Sequence, residues 1–325
     1  MFDSQVFTWA YMMQLCFVPR ISRVRGKVNR GHYFVSFGIN LERHALTRDT
    51  VRSRKRRRAL GSFSATICPN ECGRVKGNGV KTSIAGERAL VTGAGSGIGR
   101  ALAVRLASLG CSVTLVGRTQ ARLDETAMLC DEASKQAGYG EQTVSHVCDL
   151  TSEPAIVELV HTVDAEGGLD ILVNNAGIVQ AGQLESITTE EFDAVMATNV
   201  RAPFILMRET LPLLRKSNAA EVVNICSVVA HDGYPNQSAY VASKHALYGM
   251  SKSFAREVFD EGIRVHVISP GGVLTDMVAI ARPDLTGTPM IVTEDMADAL
   301  EYLLCHRTDA VCDEIRLHRV TKTPY

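Results

Sequence analysis

The stretch TGAGSGIGRALAVRLASLG (residues 92–110) follows directly on a β-branched apolar run, RALVT, and is followed by another, SVTLV. Glycine adopts the backbone angles of a tight turn and lets a ligand approach the main chain closely. The free N–H groups and the positive dipole at the start of the next helix favour an anion there. We therefore interpret the stretch as a phosphate-binding turn between a strand and a helix, formed by Gly93, Ser96, Gly97, Ile98 and Gly99.

Outward from this turn, short β-branched apolar runs alternate with longer segments of helical spacing. The runs lie at 88–92, 112–116, 143–148, 170–175, 221–226 and 264–269, and helices are expected at 97–109, 120–137, 153–166, 189–216 and 238–261. Continuously apolar strands that alternate with helices are typical of a parallel sheet covered on both faces. The pattern predicts a single α/β domain over residues 86–325, a doubly wound parallel sheet of the Rossmann type.

Residues 1–85 differ in composition from the rest of the chain. They carry sixteen Lys and Arg against four acids, including the run RSRKRRR at 52–58, whereas residues 86–325 carry nineteen basic and thirty-one acidic residues. Three interpretations stay open: a disordered basic extension, a targeting segment, or leader sequence translated from a start codon set too far upstream. A solvated charge run is the default interpretation of RSRKRRR, so nucleic acid is not expected as a partner.

The cysteines indicate the compartment. Nine cysteines are scattered along the chain, and such an odd, dispersed set does not suggest a disulfide framework. We expect a reducing compartment and a cytoplasmic protein. Cys68 and Cys72 lack a second pair of ligands at suitable spacing, so no metal is expected. No apolar run reaches the roughly 18 residues of a membrane-spanning helix.

The end of the second predicted strand bears on the choice of dinucleotide. In folds of this type, an acid about 20 residues past the glycines holds the ribose hydroxyls of NAD. Here Gly117 and Arg118 occupy that place, and the first acid is Asp124. A guanidinium can bind a 2′-phosphate that a carboxylate would repel. Arg118 therefore favours NADP(H) over NAD(H) as the cofactor.

Three residues have the chemistry of carbonyl reduction. Tyr240 and Lys244 are four positions apart in the helical segment SAYVASKHAL (238–247), so they share one face of the helix. A lysine charge favours the phenolate, and we expect Lys244 to lower the pKa of Tyr240 toward the working range of a proton donor. Ser227 follows the strand EVVNIC at the edge where open parallel sheets bind ligands, and its hydroxyl can stabilise charge on a substrate oxygen.

Taken together, the motifs resemble those of the classical short-chain dehydrogenases/reductases. They occur in the family's order and cover residues 88–277 densely: TGAGSGIG at 92–99, Asp149 in CDL, NNAG at 174–177, Asn199 in TNV, Ser227, Tyr240 with Lys244, and PGGVLT at 270–275. The resemblance implies an NAD(P)-dependent oxidoreductase in which Asn199, Ser227, Tyr240 and Lys244 are catalytic.

The resemblance also assigns further roles. Lys244 would bind the nicotinamide ribose, and Asn199 would hold a proton-relaying water behind it. Asp149 would contact the adenine, and Asn175, Ala176 and Gly177 would line the adenine ribose. The remaining cofactor contacts implied by the resemblance are Tyr240, Pro270, Gly271 and Thr275.

The substrate is less well defined by the sequence. The segment 278–292 is expected to form a lid over the substrate pocket, with His231 and Tyr234 lining that pocket. The tail AVCDEIRLHRVTKTPY lacks the glycine pair near the end of many 3-oxoacyl-[acyl-carrier-protein] reductases. It is more similar to NADP-dependent 3-hydroxy acid or general carbonyl reductases. A small-molecule carbonyl or alcohol substrate and a homodimer or homotetramer are expected. The acyl-carrier-protein reductase is the alternative, and a non-catalytic nucleotide-sensing regulator is a distant one.

Overall fold

The computed structural model describes residues 83–285, 287–307 and 309–322, without the side chain of Ile280. The interpretations of the basic N-terminal region lie outside these residues, apart from the short stretch 83–85. Within that stretch, Ile84 is buried in the core, and its carbonyl accepts a hydrogen bond from the Cys111 thiol.

A seven-stranded sheet forms the centre of the described chain. Every neighbouring pair of strands is parallel, and the strand order is β3-β2-β1-β4-β5-β6-β7. The strands are β1 (Arg88–Thr92), β2 (Ser112–Gly117), β3 (Thr143–Val147), β4 (Ile171–Asn174), β5 (Glu221–Ile225), β6 (Arg264–Pro270) and β7 (Glu314–Leu317). This topology confirms the predicted doubly wound α/β fold, with β1 and β4 at the point where the strand order reverses.

Helices connect the strands and cover both faces of the sheet. They are α1 (Gly97–Ser108), α2 (Gln120–Gln136), α3 (Glu153–Ala165), α4 (Thr189–Met196), α5 (Ala202–Leu214), α6 (Ser238–Glu257), α7 (Asp276–Ala281) and α8 (Thr293–Cys305). None of the helices in the described residues is long and apolar enough to cross a membrane.

The long helix expected at 189–216 is interrupted. It begins with a capping box, in which the Thr188 hydroxyl and the Glu191 carboxylate each accept a backbone N–H of the other residue. At residues 197–201 the helix widens into one π turn and then continues as α5. The π turn contains Asn199, whose side chain hydrogen-bonds elsewhere in the fold. π turns of this kind occur frequently at functional sites.

Two hydrophobic clusters hold the sheet between its helices. On one face, Val91 packs with Leu102 of α1 and Leu300 of α8. On the other, Leu90 packs with residues of α3, α5 and α6, such as Leu206. Neighbouring residues of β1 thus enter opposite cores, as the pleat requires. Burial of each such leucine contributes about 1.5–3 kcal/mol, and the clusters fix the strand ends from which the polar loops emerge.

Candidate active site

The glycine-rich turn lies at the carboxyl end of β1. Gly93 and Gly97 have positive φ angles of 65° and 53°, which favour glycine. A Cβ atom on Gly99 would lie 2.2 Å from the carbonyl oxygen of Gly93. The two parts of the turn therefore lie too close together for any residue other than glycine at position 99. The Ser96 side chain forms no capping bond to α1, which leaves the N–H groups of the first helical turn to a ligand.

Thr92, a residue that the sequence analysis did not single out, ties this turn to the NNAG motif. Its hydroxyl oxygen accepts hydrogen bonds from the backbone N–H groups of Asn175 and Ala176, both at 3.0 Å. The Asn175 amide in turn donates to the Thr92 carbonyl at 2.9 Å. These bonds fix the loops after β1 and β4 against each other where the strand order reverses. In the sequence, the threonine that begins TGAGSGIG was the feature that could have indicated this role.

A cavity of about 820 Å³ extends along the carboxyl ends of the strands, a volume typical of cofactor sites. Every residue that the sequence assigned to the cofactor lines this cavity, from the glycine turn through Asp149 to Thr275. The Thr275 methyl group packs over Gly97, 3.2 Å from where a Cβ atom would be. The glycine cradle, the uncapped helix N-terminus and this volume all fit a dinucleotide.

Two charged side chains mark the end of the cavity near β2 and β3. Arg118 is exposed at the end of β2, and Asp149 is exposed after β3. The Thr151 backbone N–H and hydroxyl both donate to Asp149 Oδ1, and these bonds, with a smaller contribution from Arg118, lower the pKa of Asp149. Asp149 lines the cavity, so a ligand amino group there could donate to the carboxylate.

Ser227 stands at the other end of the cavity, directly after β5. Its extended backbone starts a short 3-10 turn, Val228–Ala230, and its hydroxyl accepts the Val229 N–H at 3.4 Å. The hydroxyl donates to the Pro270 carbonyl at 3.3 Å. Both bonds are long, so the hydroxyl can be redirected to a ligand oxygen at small cost.

Tyr240 and Lys244 lie on the face of α6 that meets this end of the cavity. The Lys244 ammonium is 5.7 Å from the centroid of the Tyr240 ring and donates to the Ile225 carbonyl at 2.9 Å. Burial raises the pKa of Tyr240 to about 12, and a hydrogen bond with Ser227 offsets part of that rise. Burial also lowers the pKa of Lys244. The pKa of Tyr240 is thus raised, contrary to the expected lowering by Lys244, because desolvation of the hydroxyl is the largest contribution.

Asn199 lies behind the cavity wall and not on it. Its side chain accepts the Ile178 N–H and donates to the Ile178 carbonyl, both at 2.8 Å, and it also donates to the Ser243 hydroxyl at 3.0 Å. A Cβ atom on Gly177 would lie 3.3 Å from Asn199 Oδ1 and 3.7 Å from Lys244 Nζ. Glycine at this position keeps the space between the amide and the ammonium open.

The expected lid is pinned at its base and reaches the cavity through α7. The Leu274 N–H donates to the Ile291 carbonyl, and the Ile291 N–H donates to the Gly272 carbonyl. Met277 and Val278 of α7 line the cavity. His231 and Tyr234 do not line it, contrary to expectation. His231 is bonded to Glu314, and Tyr234 lies under the Arg282 guanidinium in a separate cavity.

Comparison with known proteins places the chain among enzymes. A family model described as short chain dehydrogenase matches residues 87–286. The D-beta-hydroxybutyrate dehydrogenase of Rhizobium meliloti is 37% identical over 210 residues, which cover 64% of this chain and 80% of that protein. The 3-oxoacyl-[acyl-carrier-protein] reductase of Rickettsia bellii is 35% identical over 229 residues, which cover 68% and 90%.

Solved structures agree with the family match. An alcohol dehydrogenase from Thermococcus sibiricus, complexed with 5-hydroxy-NADP, has a TM-score of 0.65 and 26% identity, with 74% of this chain and 99% of that chain covered. A metagenomic short-chain oxidoreductase in complex with NADP has a TM-score of 0.62 and 29% identity over similar shares of 74% and 99%.

Fold, cavity and relatives define the class of protein first: an NAD(P)-dependent oxidoreductase acting on CH–OH donors. Within that class, the chain belongs to the short-chain dehydrogenase family. The described residues contain no group of three His, Cys, Asp or Glu side chains placed to hold a metal ion.

Proposed function

We propose that the protein is an NADPH-dependent reductase of small carbonyl compounds, with Tyr240 as the proton donor. The observation that carries the proposal is the convergence of Ser227, Tyr240 and Lys244 at one end of a cavity whose other end is the glycine turn. Carbonyl reduction needs a hydride at carbon and a proton at oxygen. A bound nicotinamide would supply the hydride, and side chains of this protein bind the carbonyl oxygen and give it a proton.

Tyr240 is the acid in this scheme. Its phenol is anchored on a twenty-residue helix, so the direction of the hydroxyl is fixed before substrate arrives. With its pKa raised to about 12, the phenol carries its proton throughout the neutral range. Ser227 exchanges its long bond to the Pro270 carbonyl for a bond to the substrate oxygen and holds that oxygen beside the phenol.

Lys244 and Asn199 support the acid from behind. The buried ammonium attracts the negative charge that appears on Tyr240 when its proton leaves. Its bond to the Ile225 carbonyl holds it 5.7 Å from the centroid of the Tyr240 ring. From there it could also bind the nicotinamide ribose, as the family resemblance implies. The Asn199 amide is held by the backbone N–H and the carbonyl of Ile178. As the family resemblance implies, it would bind a water next to Lys244, and that water could return a proton to Tyr240.

The cavity favours uncharged substrates. Its lining includes the apolar side chains of Ile178, Leu274 and Met277. Apart from Lys244, the cations among its described lining residues belong to α1 or the β2–α2 segment, at the dinucleotide end. A substrate carboxylate would have no cation to pair with there. We therefore place general carbonyl reduction ahead of 3-hydroxy acid oxidation, with 3-oxoacyl thioesters as the alternative class.

A substrate panel distinguishes these classes. NADPH oxidation by the full chain is measured with neutral ketones, 3-oxo acids and 3-oxoacyl thioesters, each at matched concentration. The proposal expects the highest kcat/KM with neutral ketones. If kcat/KM is about tenfold or more higher for the thioesters, the protein is instead a 3-oxoacyl thioester reductase. Such a difference corresponds to about 1.4 kcal/mol of transition-state binding.

Arg118 is proposed to select the phosphorylated cofactor. We expect Arg118→Asp to lower the ratio of kcat/KM for NADPH to that for NADH by about 10- to 100-fold, because the lost charge-assisted contact is replaced by repulsion. Arg256→Ser on α6, exposed and outside the described cavity lining, is the matched control and should leave the ratio unchanged. An unchanged ratio in Arg118→Asp would remove Arg118 from cofactor selection.

The raised pKa of Tyr240 also predicts opposite pH profiles for the two directions. Reduction uses the protonated phenol, so its kcat/KM should stay level from about pH 6 to about pH 9. Oxidation of the product alcohol uses the phenolate, whose fraction grows about tenfold per pH unit below the pKa. Its kcat/KM should therefore rise over the same range. If kcat/KM for reduction already declines as the pH rises toward about 8, the phenol loses its proton too early and this assignment is contradicted.

We also propose a cytoplasmic homo-oligomer that uses the α4–α5 surface. Phe192 on α4 and Phe204 on α5 are 40% and 48% exposed, and burying such aromatic surface against a partner would stabilise an interface. A second copy of the chain is the expected occupant. Light scattering should give a dimer or tetramer, and Phe204→Glu should shift it toward the monomer. A monomeric wild-type chain at micromolar concentration would overturn this proposal.

A further inference from the structure

One carboxylate outside the cavity collects hydrogen bonds from four elements of the fold. Glu314 begins β7 at the edge of the sheet, and its side chain is 14% exposed. Oε1 accepts from His231 Nε2 at 2.6 Å and from the Ser269 hydroxyl at 2.8 Å. Oε2 accepts from the Tyr248 hydroxyl at 3.2 Å and from Arg316 Nε at 3.0 Å.

Three of these donors are neighbours of the proposed catalytic groups. His231 ends the short turn that Ser227 begins. Tyr248 lies on α6, one helical turn after Lys244 and two after Tyr240. Ser269 immediately precedes Pro270, whose carbonyl holds the Ser227 hydroxyl. The carboxylate therefore joins the Ser227 turn and α6, which carry the reacting side chains, to the end of β6, whose Pro270 carbonyl holds the Ser227 hydroxyl.

The chemistry of the contacts makes this junction specific. Glu314 is ionised: burial alone would raise its pKa, but hydrogen bonds from Ser269, Arg316 and His231 outweigh burial and leave the pKa lowered. An ionised carboxylate only accepts, so the His231 Nε2 atom must carry a proton. The His231 ring also meets the Tyr248 ring edge to face, with centroids 4.4 Å apart. The orientation of the imidazole is thus fixed by both its polar and its apolar contacts.

We propose that Glu314 is a positioning residue for carbonyl reduction, which sets the Ser227 loop against α6 through His231. This inference rests on the proposed function. Besides its hydrogen bond with Tyr240, the Ser227 hydroxyl makes two long bonds, to the Pro270 carbonyl and the Val229 N–H. Its direction therefore depends on where its loop lies, and His231 fastens the end of that loop to Glu314. Without that fastening, the serine and the phenol no longer converge on one oxygen atom. A misplacement of about 1 Å can cost about 100-fold in rate.

The test compares Glu314→Gln and His231→Ala with a matched control. In Glu314→Gln one carboxylate oxygen is replaced by an NH2 group, which donates and cannot accept. In His231→Ala only the contact that fastens the loop is removed. Both should lower kcat for a ketone by about tenfold, and the double variant should lose no more than about twice that, because the two residues act as one unit. NADPH affinity, measured by fluorescence titration, should change less than about twofold.

The control is Asp170→Asn, which disrupts the Arg88–Asp170 ion pair at the amino ends of β1 and β4. The Asp170 carboxylate is about as buried as that of Glu314, but it lies at the opposite end of the strands from the proposed site. The substitution should lower the melting temperature while leaving kcat unchanged. Hydrogen–deuterium exchange of residues 226–232 should rise in Glu314→Gln and His231→Ala but not in Asp170→Asn. If Glu314→Gln fails to fold, His231→Ala alone decides.

The outcomes separate this inference from the proposed function. Unchanged kcat in both variants, with Tyr240→Phe inactive, would overturn the positioning role and leave Tyr240 as the acid. A loss of kcat that Asp170→Asn reproduces, or exchange in 226–232 that stays at the wild-type level, would also overturn it. If Tyr240→Phe itself retains activity, the proposed function fails instead.

Discussion

Tyr240→Phe is expected to lower kcat for carbonyl reduction by about 1,000-fold, the range over which a positioned general acid acts. The substitution removes one hydroxyl and keeps the ring, so the packing of α6 should persist. NADPH affinity should stay within about threefold of the wild type, because the glycine turn and Arg118 are untouched. Steady-state NADPH oxidation and fluorescence titration measure the two quantities on the same preparation.

The control for this substitution is Tyr302→Phe. Tyr302 is 50% exposed on α8, where it stacks on His306 and does not line the described cavity. It should retain full activity. Turnover by Tyr240→Phe within about tenfold of the wild type would exclude the phenol as the acid, since water or Ser227 would then supply the proton equally well.

Gly99→Ala should abolish cofactor binding, with an increase in the NADPH dissociation constant of at least about 100-fold. The new Cβ atom would meet the Gly93 carbonyl oxygen at 2.2 Å and the Asn175 amide at 2.5 Å. Backbone at such distances cannot yield without opening the turn, and the N–H groups that are proposed to bind the phosphate would move with it. Calorimetric titration with NADPH measures the loss.

A matched glycine distinguishes this local effect from a general cost of alanine. Gly249 is an exposed residue of α6, and a Cβ atom there would meet nothing within 4 Å. Gly249→Ala should keep NADPH affinity and raise stability by about 0.5–1 kcal/mol, because alanine is the better helix former. Unchanged affinity in Gly99→Ala would contradict the close packing of the turn.

Much of the fold could be predicted from the sequence because the strands are short, apolar and β-branched. RALVT and DILVNN lie at the centre of the sheet, and their burial on both faces leaves little ambiguity. The strand β7 was not recognised, because EIRL is four residues long, carries two charges and lies at an edge. Edge strands need less apolar sequence, so pattern alone identifies them poorly.

The candidate site was predictable to the extent that its residues occur in ordered motifs at loop ends. The glycine turn and the Tyr240–Lys244 pair could be located in this way. The network around Glu314 could not, because it joins residues 83 positions apart, such as His231 and Glu314. Likewise, periodicity predicted one continuous helix through Asn199. The π turn arises there because tertiary hydrogen bonds to Ile178 and Ser243 override local helix preference.

The pKa of Tyr240 was misjudged for a related reason. Spacing on a helix places Lys244 near the phenol, but it carries no information about how deeply the hydroxyl is buried. In the fold, desolvation raises the pKa to about 12 and dominates. The environment of an ionisable group depends on segments distant in sequence, here the loop after β5 and the end of β6.

The most direct measurement of the central claim follows one hydride through one turnover. The full chain is incubated with NADPH carrying deuterium at the transferable position and with a neutral ketone on which it turns over, and the alcohol is analysed by mass spectrometry. The account predicts one alcohol formed per NADPH consumed, with a single deuterium on the carbinol carbon. NADPH that binds and is consumed without a deuterated alcohol, or no turnover with any ketone of the panel, would contradict it.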